Sequence, residues 1–258
     1  MAAEALVIVT VARTAGSVPR EVGAWMTVAA SGVTGTVGGG HLEFDAIARA
    51  RVALAGGELA EEVRYPLGAT LGQCCGGVVW LSFKQLQAGD DLASHLPRVV
   101  GRPLALFGAG HIGQSIARIA RDLPLALHWI DSRENQFPAE PPAPGWRQEV
   151  CDPPADAVAD LTPGSAVLIM SHNHAEDFDI VSACLKRQRE QADLAFIGLI
   201  GSRTKWASFR QRLELRGFTE GERAQVCCPI GVPGVAGKQP AVIAVAVLAQ
   251  ILALPSSA

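Results

Sequence analysis

Two adjacent cysteines, Cys74 and Cys75, are flanked by Gln73 and by the two small residues Gly76 and Gly77. A thiolate is both a nucleophile and a ligand for soft metals, and it must be accessible to act as either. Small neighbours leave both sulfurs open, so the segment predicts a loop that presents thiols to a soft metal or to a sulfur-transfer partner. The alternative is a pair of small buried side chains, which is the usual fate of free cysteine.

A glycine-rich turn stands further along the chain, where Gly108, Gly110 and Gly113 have the spacing GxGxxG. It lies between a predicted strand and a predicted helix that begins at His111, and Asp131 ends the next predicted strand. In that context the glycines permit a tight turn, close approach to a phosphate and helix packing on the strand. The amides at the start of the helix could then hold a phosphate. The alternative is a turn whose glycines serve packing alone.

A second glycine run, formed by Gly38, Gly39 and Gly40, precedes Glu43 at the start of another predicted helix. Amides exposed at the positive end of a helix can bind an anion, so this run is a second candidate anion-binding turn. A steric need for close backbone contact would explain the same glycines.

Polar residues follow two predicted buried strands, the edge at which open α/β sheets bind ligands. His172 and His174 are two residues apart in a predicted loop, which is not helical metal-ligand spacing, so we expect hydrogen bonds to a ligand or within the loop. Ser202 and Lys205 could bind a phosphate or an acidic partner. A solvated helix start is the alternative for this pair.

The apolar pattern changes near residues 95–102 and predicts two domains, 1–98 and 99–258. Short apolar runs separated by Gly or Ser, with one helix, indicate a smaller N-terminal α+β domain. The strands are predicted at 5–12, 24–30, 33–37, 63–67 and 78–83, and the helix at 42–54. Apolar strands alternating with helices then predict a Rossmann-like, doubly wound parallel sheet, so the fold class is α/β. These strands lie at 104–107, 125–130, 167–170 and 194–200, and the helices at 111–123, 177–190 and 204–217.

Two stretches rich in Pro and Gly, residues 132–146 and 222–238, are interpreted as functional loops, and residues 240–254 as a buried terminal helix. The net charge of -3 without a basic stripe argues against nucleic acid as a partner. The absence of a long apolar span and of a signal-peptide pattern predicts a cytoplasmic protein that does not enter membranes. The 6 cysteines form no CxxC pair, which argues against structural zinc.

Several motifs in a fixed order make the chain resemble the XdhC/CoxI family, the accessory proteins that deliver molybdenum cofactor to xanthine dehydrogenase and related hydroxylases. The resemblance covers nearly the whole chain. It is carried by residues 16–20, 35–43, 71–77, 107–113, 171–174 with Asp177, 200–205 and 229–231. Ser171 and Asn173 depart from the pattern that is common in the family, as does the segment 237–240.

The resemblance implies a chaperone that binds molybdenum cofactor (molybdopterin) and acts in the maturation of xanthine dehydrogenase, an enzyme of purine catabolism. It implies that a cysteine desulfurase supplies sulfur to the cofactor, which the chaperone then passes to xanthine dehydrogenase or a related molybdenum hydroxylase. Gln73, Cys74 and Cys75 would lie at the metal end, and the glycine turns at the phosphate end. Such a protein is a binding and transfer protein more than an enzyme. The residues leave open whether the thiols are metal ligands or relay sulfur.

Two other functions remain open at this stage. An NAD(P)-dependent oxidoreductase would use Asp131 for the adenosine ribose and His172 or His174 to move a proton. A scaffold with an empty Rossmann fold would only dock partners. The sequence also leaves open whether a nucleotide binds the Rossmann turn and whether the two vicinal-thiol segments, 74–75 and 227–228, bridge a homodimer.

Overall fold

The chain divides into two compact units, Met1–Val99 and Val100–Ala258, and each is described by itself. The computed structural model describes residues 2–68, 76–96, 101–140, 142–143 and 145–255.

The first unit is an antiparallel sheet with one long helix. Its elements are β1 (Leu6–Ala15), β2 (Trp25–Ala29), β3 (Val33–Gly35), α1 (Gly40–Leu54), β4 (Glu62–Pro66), β5 (Val78–Leu86) and the short α2 (Leu92–His95). The strand order is β3-β2-β1-β5-β4. This is the small α+β fold that the short apolar runs predict.

One face of this sheet is covered by α1. Successive side chains of a strand point to opposite faces, so Val7, Val9 and Val11 of β1 all enter the same core. Leu42 and Ala46 of α1 are fully buried in that core, and Ala50 and Ala53 continue the buried stripe down the helix. The start of α1 is therefore fixed against the sheet.

The second unit is a six-stranded sheet in which every strand pair is parallel. Its strands are β6 (Arg102–Phe107), β7 (Leu125–Asp131), β8 (Arg147–Val150), β9 (Ala166–Ile169), β10 (Phe196–Leu199) and β11 (Val226–Cys227). Its helices are α3 (His111–Ala120), α4 (His174–Gln191), α5 (Arg203–Leu215), α6 (Glu220–Arg223) and α7 (Pro240–Leu252). A 3₁₀ helix at Pro154–Asp160 lies between β8 and β9 in the chain.

Helices cover both faces of this sheet. Ala105 and Phe107 of β6 belong to the core formed with α4 and α5. The alternate residues Leu104 and Leu106 belong to the core formed with α3 and α7. The strand order β11-β10-β9-β6-β7-β8 is that of a Rossmann fold, with the chain reversing direction across the sheet between β6 and β9. The predicted fold class is confirmed.

Two edge strands were not predicted. β8 is half exposed and has no apolar run, because as an edge strand it pairs only with β7. β11 pairs through only two residues with β10, and it falls with part of α6 in the segment 222–238 that the sequence predicts to be a loop. That prediction is wrong for these residues, since Pro and Gly on either side of a short element hide it.

The terminal helix α7 is buried on one side, as the sequence predicts. Ala244, Val247, Leu248 and Ile251 enter the core shared with α3, whereas Val245 is exposed. Within the described ranges of the chain, no helix has both the length and the apolar character needed to cross a bilayer.

Candidate functional site

The Rossmann turn lies where β6 and β9 end side by side. A Cβ atom on Gly108 would stand 2.1 Å from the carbonyl oxygen of Met170, and the φ of Gly108 is 117°. A Cβ atom on Gly113 would stand 2.1 Å from the carbonyl oxygen of Gly108. Any side chain at either position would clash with backbone, so packing explains these two glycines.

Gly110 differs from the other two glycines of the motif. It is exposed, its φ of -72° suits any residue, and a Cβ atom there would meet no atom within 4 Å. Gly110 is the N-cap of α3, and no side chain caps that end of the helix. Neither packing nor backbone conformation requires glycine at this position. Its missing side chain leaves open space at the exposed start of α3, next to the exposed residue His111.

Asp131 supports the turn from the end of β7. Its carboxylate accepts hydrogen bonds from the Ala109 amide (2.6 Å) and from the Arg133 amide (3.0 Å), and Arg133 Nε and Nη2 each donate over 2.9 Å. Burial raises the pKa of Asp131, but the hydrogen bonds from Arg133 and Ala109 outweigh burial and hold the pKa below its usual range. Asp131 is thus an ionised, fully engaged group at neutral pH. Sequence reasoning missed Arg133, whose only signal is its position two residues after Asp131.

The predicted histidine loop is closed by its own hydrogen bonds. Asn173 caps α4 by accepting from the Glu176 amide (2.9 Å), so His174 is the exposed first residue of the helix rather than a loop residue. His172 Nδ1 lies 3.2 Å from the Glu176 carboxylate, and its Nε2 lies 3.0 Å from the Asn173 side-chain amide. The described part of the chain holds no cluster of three or more His, Cys, Asp or Glu suited to a metal.

Lys205 forms a buried ion pair at the next strand end. Its ammonium donates to Asp177 (2.6 Å) and to the carbonyl of Ile200 (2.9 Å), and both charged side chains are nearly excluded from solvent. The other carboxylate oxygen of Asp177 accepts from the amide and the hydroxyl of Ser171, both over 2.8 Å. Ser202 caps α5 by accepting from the Lys205 amide (3.1 Å). These contacts link the ends of β9 and β10. The start of α5 is therefore held by an ion pair and a side-chain cap, not by solvent alone.

The glycine run of the first unit already contains an anion, which is the carboxylate of Glu43. Glu43 Oε2 accepts from the Thr36 hydroxyl (2.5 Å), the Val37 amide (3.0 Å) and the Gly39 amide (3.1 Å). Burial raises the pKa of Glu43, but the bonds from Thr36 and the turn amides outweigh burial and lower it.

A steric requirement explains Gly38 as well, since a Cβ atom there would stand 2.5 Å from Cγ of the Pro19 ring. Gly40 is the first residue of α1 and has a φ of 62°, a conformation that favours glycine. The structure therefore favours the steric explanation of this run over binding of an external anion. A cofactor contact at Gly38, Gly39, Gly40 or Glu43 stays a prediction.

Gln73, Cys74 and Cys75 lie outside the described residues, and their role stays a prediction. On either side of them, β4 and β5 form an antiparallel pair that reaches Pro66 and Val78. Beyond that pair, the Leu67 amide donates to the carbonyl of Gly77 over 2.8 Å.

Three of the described cysteines are poorly suited to nucleophilic chemistry. Burial raises the pKa of Cys184 to about 12 and that of Cys228 to about 11, and it also raises the pKa of Cys151. Thiols of this kind are protonated at neutral pH, whereas the thiolate is the reactive form. Reactive-thiol chemistry in this chain is therefore not expected at these three positions.

We expect Glu43→Gln to lower the free energy of unfolding of the first unit by about 1–3 kcal/mol at pH 7, because a neutral amide cannot replace the carboxylate in the turn. The lowered pKa of Glu43 means that this stabilisation is present above the unfolded-state pKa and is lost as pH falls through the folded-state pKa. Urea unfolding at pH 7 and in acid measures both effects. Glu61→Gln, at an exposed position of the same unit, is the matched control. Equal loss of stability in both variants, or a loss that does not shrink in acid, would contradict this role of Glu43.

Gly108→Ala and Gly110→Ala should behave in opposite ways. The first puts a Cβ atom into the Met170 carbonyl at positive φ and should destabilise the second unit by about 2–5 kcal/mol. The second places its Cβ in open space and should change stability by less than about 0.5 kcal/mol. Thermal unfolding followed by circular dichroism distinguishes them, and a strongly destabilised Gly110→Ala protein would show that packing needs this glycine too.

Comparison with known proteins finds a solved structure with a similar fold. The fold is similar to that of a Bacillus halodurans protein whose crystal structure is described as a xanthine dehydrogenase, with a TM-score of 0.70 and 21% identity, over 97% of this chain and 91% of that chain. At that identity the likeness shows the shared fold alone. The uncharacterized protein YqeB of Escherichia coli K12 is 28% identical over 255 residues, which are 94% of this chain but 42% of that protein. The chain thus spans less than half of the length of this relative.

Family models cover most of both units. A model described as the XdhC and CoxI family matches residues 1–66. A model described as the XdhC Rossmann domain matches residues 104–251, more than half of the chain and all of the turn described above. The chain therefore belongs to the XdhC/CoxI family, as its motifs indicate.

Proposed function

We propose that the protein is an accessory factor that binds molybdenum cofactor, supports its sulfuration and delivers it to xanthine dehydrogenase or a related molybdenum hydroxylase. The cofactor is cargo in this proposal, not a resident group. Family membership supports the accessory role. The single structural observation that carries the binding step is Gly110, which neither packing nor backbone conformation requires.

The Rossmann unit suits the phosphate of the cargo. No side chain caps the start of α3 at Gly110, and the positive end of a helix stabilises a phosphate. The crevice at the ends of β6 and β9 is also where open α/β sheets bind ligands. We assign the phosphate to this turn, beside His111.

The thiols Cys74 and Cys75 are assigned to the metal end. Molybdenum that carries sulfur ligands is a soft centre, and thiolates are soft ligands. Burial raises the pKa of Cys151, Cys184 and Cys228, which disfavours the reactive thiolate at these three positions. A cysteine desulfurase is the proposed source of the sulfur, which it carries as a persulfide. In the sulfuration step two electrons from a thiol reductant, such as excess cysteine, would reduce that sulfur to the level of sulfide, and the sulfido ligand would replace a terminal oxo ligand of the metal, which leaves as water. The thiols would act in that exchange as metal ligands or as a sulfur relay.

The oxidoreductase alternative is less well supported. It needs Asp131 to bind the adenosine ribose, but the carboxylate is engaged by Ala109 and Arg133. It also needs His172 or His174 to move a proton. His172 is held by Glu176 and Asn173, which leaves the exposed His174 for that role. The docking scaffold differs from our proposal in one respect, because it predicts that no cofactor is retained.

Replacement of both thiols should remove the metal. The reduced protein is incubated with molybdenum cofactor and passed through gel filtration, and molybdenum and pterin are measured in the protein fraction. We expect retention by the wild type, a loss of about tenfold or more in Cys74→Ser/Cys75→Ser, and no loss in Cys151→Ser as the matched cysteine control. Full retention by the double variant would contradict the thiol assignment.

A bulky side chain above the helix amides should weaken phosphate binding without unfolding the protein. Gly110→Leu fills the open space, and we expect retained pterin to fall by about tenfold or more because charge-assisted hydrogen bonds to the phosphate are lost. Gly110→Ala serves as the graded control. Unchanged pterin retention by a folded Gly110→Leu protein would remove the phosphate assignment from this turn.

A further inference from the structure

The end of β7 corresponds to the position that contacts the ligand ribose in Rossmann proteins that bind NAD. An acidic side chain at this position accepts hydrogen bonds from the ribose hydroxyls. Asp131 occupies the position here, directly beside the glycine turn that it bonds through the Ala109 amide.

Every acceptor position of this carboxylate is in use. A carboxylate has two oxygens and about four lone-pair sites. Oδ1 of Asp131 accepts from the amide and from Nε of Arg133, at 3.0 and 2.9 Å. Oδ2 accepts from the Ala109 amide and from Arg133 Nη2, at 2.6 and 2.9 Å. Two of the four bonds come from the Arg133 side chain, so a ribose diol must displace that side chain to bind.

Displacement of Arg133 is opposed by the burial of its partner. Asp131 is 3% exposed, whereas the Arg133 side chain is 35% exposed, so removal of the guanidinium would leave a buried carboxylate without its counter-charge. An uncompensated buried charge is strongly destabilising. Two hydroxyl groups are neutral donors and do not replace that charge.

The same pair also disfavours NADP. An arginine near this position often binds the 2′-phosphate of NADP. Here the guanidinium is turned onto Asp131, and the carboxylate would stand next to the phosphate as a like charge. Glu176 adds a second negative charge, since it accepts from the Ser132 hydroxyl (2.8 Å) and interacts with Arg133.

We propose that Arg133 is the specificity-determining residue of this Rossmann turn: it occupies the acceptors that the NAD ribose would use, and the Asp131 charge that it covers excludes NADP. Together, Arg133 and Asp131 disfavour the binding of both NAD and NADP to this Rossmann unit. This inference stands on the geometry around Asp131 and does not depend on the proposed carriage of molybdenum cofactor.

Two substitutions should open the turn to different nucleotides. Arg133→Ala frees two acceptor positions of Asp131 and should tighten NAD binding by about 10- to 100-fold, with no comparable gain for NADP because the carboxylate remains. Asp131→Asn removes the negative charge and releases Arg133, and should tighten NADP binding by a similar factor while NAD gains little. Isothermal titration calorimetry of the full-length wild type and both variants, each with NAD and with NADP, measures the six affinities.

The test has one control variant and one second variant at residue 133. Arg147→Ala removes an exposed arginine of β8 that pairs with Glu149 of the same strand, and should change neither affinity. Arg133→Gln keeps one side-chain donor and should give a smaller NAD gain than Arg133→Ala, which provides a second variant if the alanine protein does not fold. Circular dichroism establishes folding of each variant.

The result expected is weak binding of both dinucleotides by the wild type and opposite gains in the two variants. Wild-type affinity for NAD equal to that of the Arg133 variants would overturn the inference, as would folded Arg133→Ala and Arg133→Gln proteins that gain nothing. Equal gains for NAD and NADP in Arg133→Ala would overturn the part assigned to the Asp131 charge. Molybdenum retention is a separate measurement, so failure here and failure of the proposed carriage are distinguishable.

Discussion

The second unit depends on the close approach of Gly108 to the carbonyl oxygen of Met170. A Cβ atom at residue 108 would come within 2.1 Å of that oxygen, so β6 and β9 can end side by side only because residue 108 has no side chain. The turn that results directs the Ala109 amide at Asp131 and accepts the Trp129 indole N–H (3.0 Å) at the Gly108 carbonyl. The start of α3 is thereby fixed at the sheet edge where a Rossmann fold binds its ligand.

The two glycine turns look alike in sequence but differ in how their polar groups are satisfied. In the first unit a carboxylate of the following helix, Glu43, enters the turn and binds its amides. In the second unit the carboxylate comes from the end of β7 and binds Ala109, and Gly110 at the helix start stays exposed. At both carboxylates burial raises the pKa and hydrogen bonds lower it. The hydrogen bonds have the larger total effect, so both carboxylates are ionised at neutral pH. The first turn thus binds a carboxylate of its own helix, whereas the second keeps an exposed glycine at its helix start.

The fold was largely predictable because buried strands leave apolar runs and the helices leave stripes of buried residues. The two edge strands of the second sheet were not predictable, since β8 and β11 are short and only partly buried and leave no such pattern. Contacts between residues far apart in the chain could not be predicted from the sequence either. Lys205 and Asp177 meet only because β9 and β10 are neighbours, and a linear sequence does not show that their charges neutralise each other. For the same reason the sequence could indicate Asp131 as a candidate for ribose binding, but it could not show that the Arg133 side chain donates hydrogen bonds to its carboxylate.

The most direct test of the accessory role is the reconstitution of xanthine dehydrogenase that lacks molybdenum cofactor. The dehydrogenase is mixed with limiting cofactor, a cysteine desulfurase and cysteine, with or without this protein, and the recovered activity is measured. The account predicts that the protein increases the activity recovered from the same amount of cofactor, and that the Cys74→Ser/Cys75→Ser protein does not. Equal activity with and without the wild-type protein would contradict the proposal that it carries and delivers the cofactor.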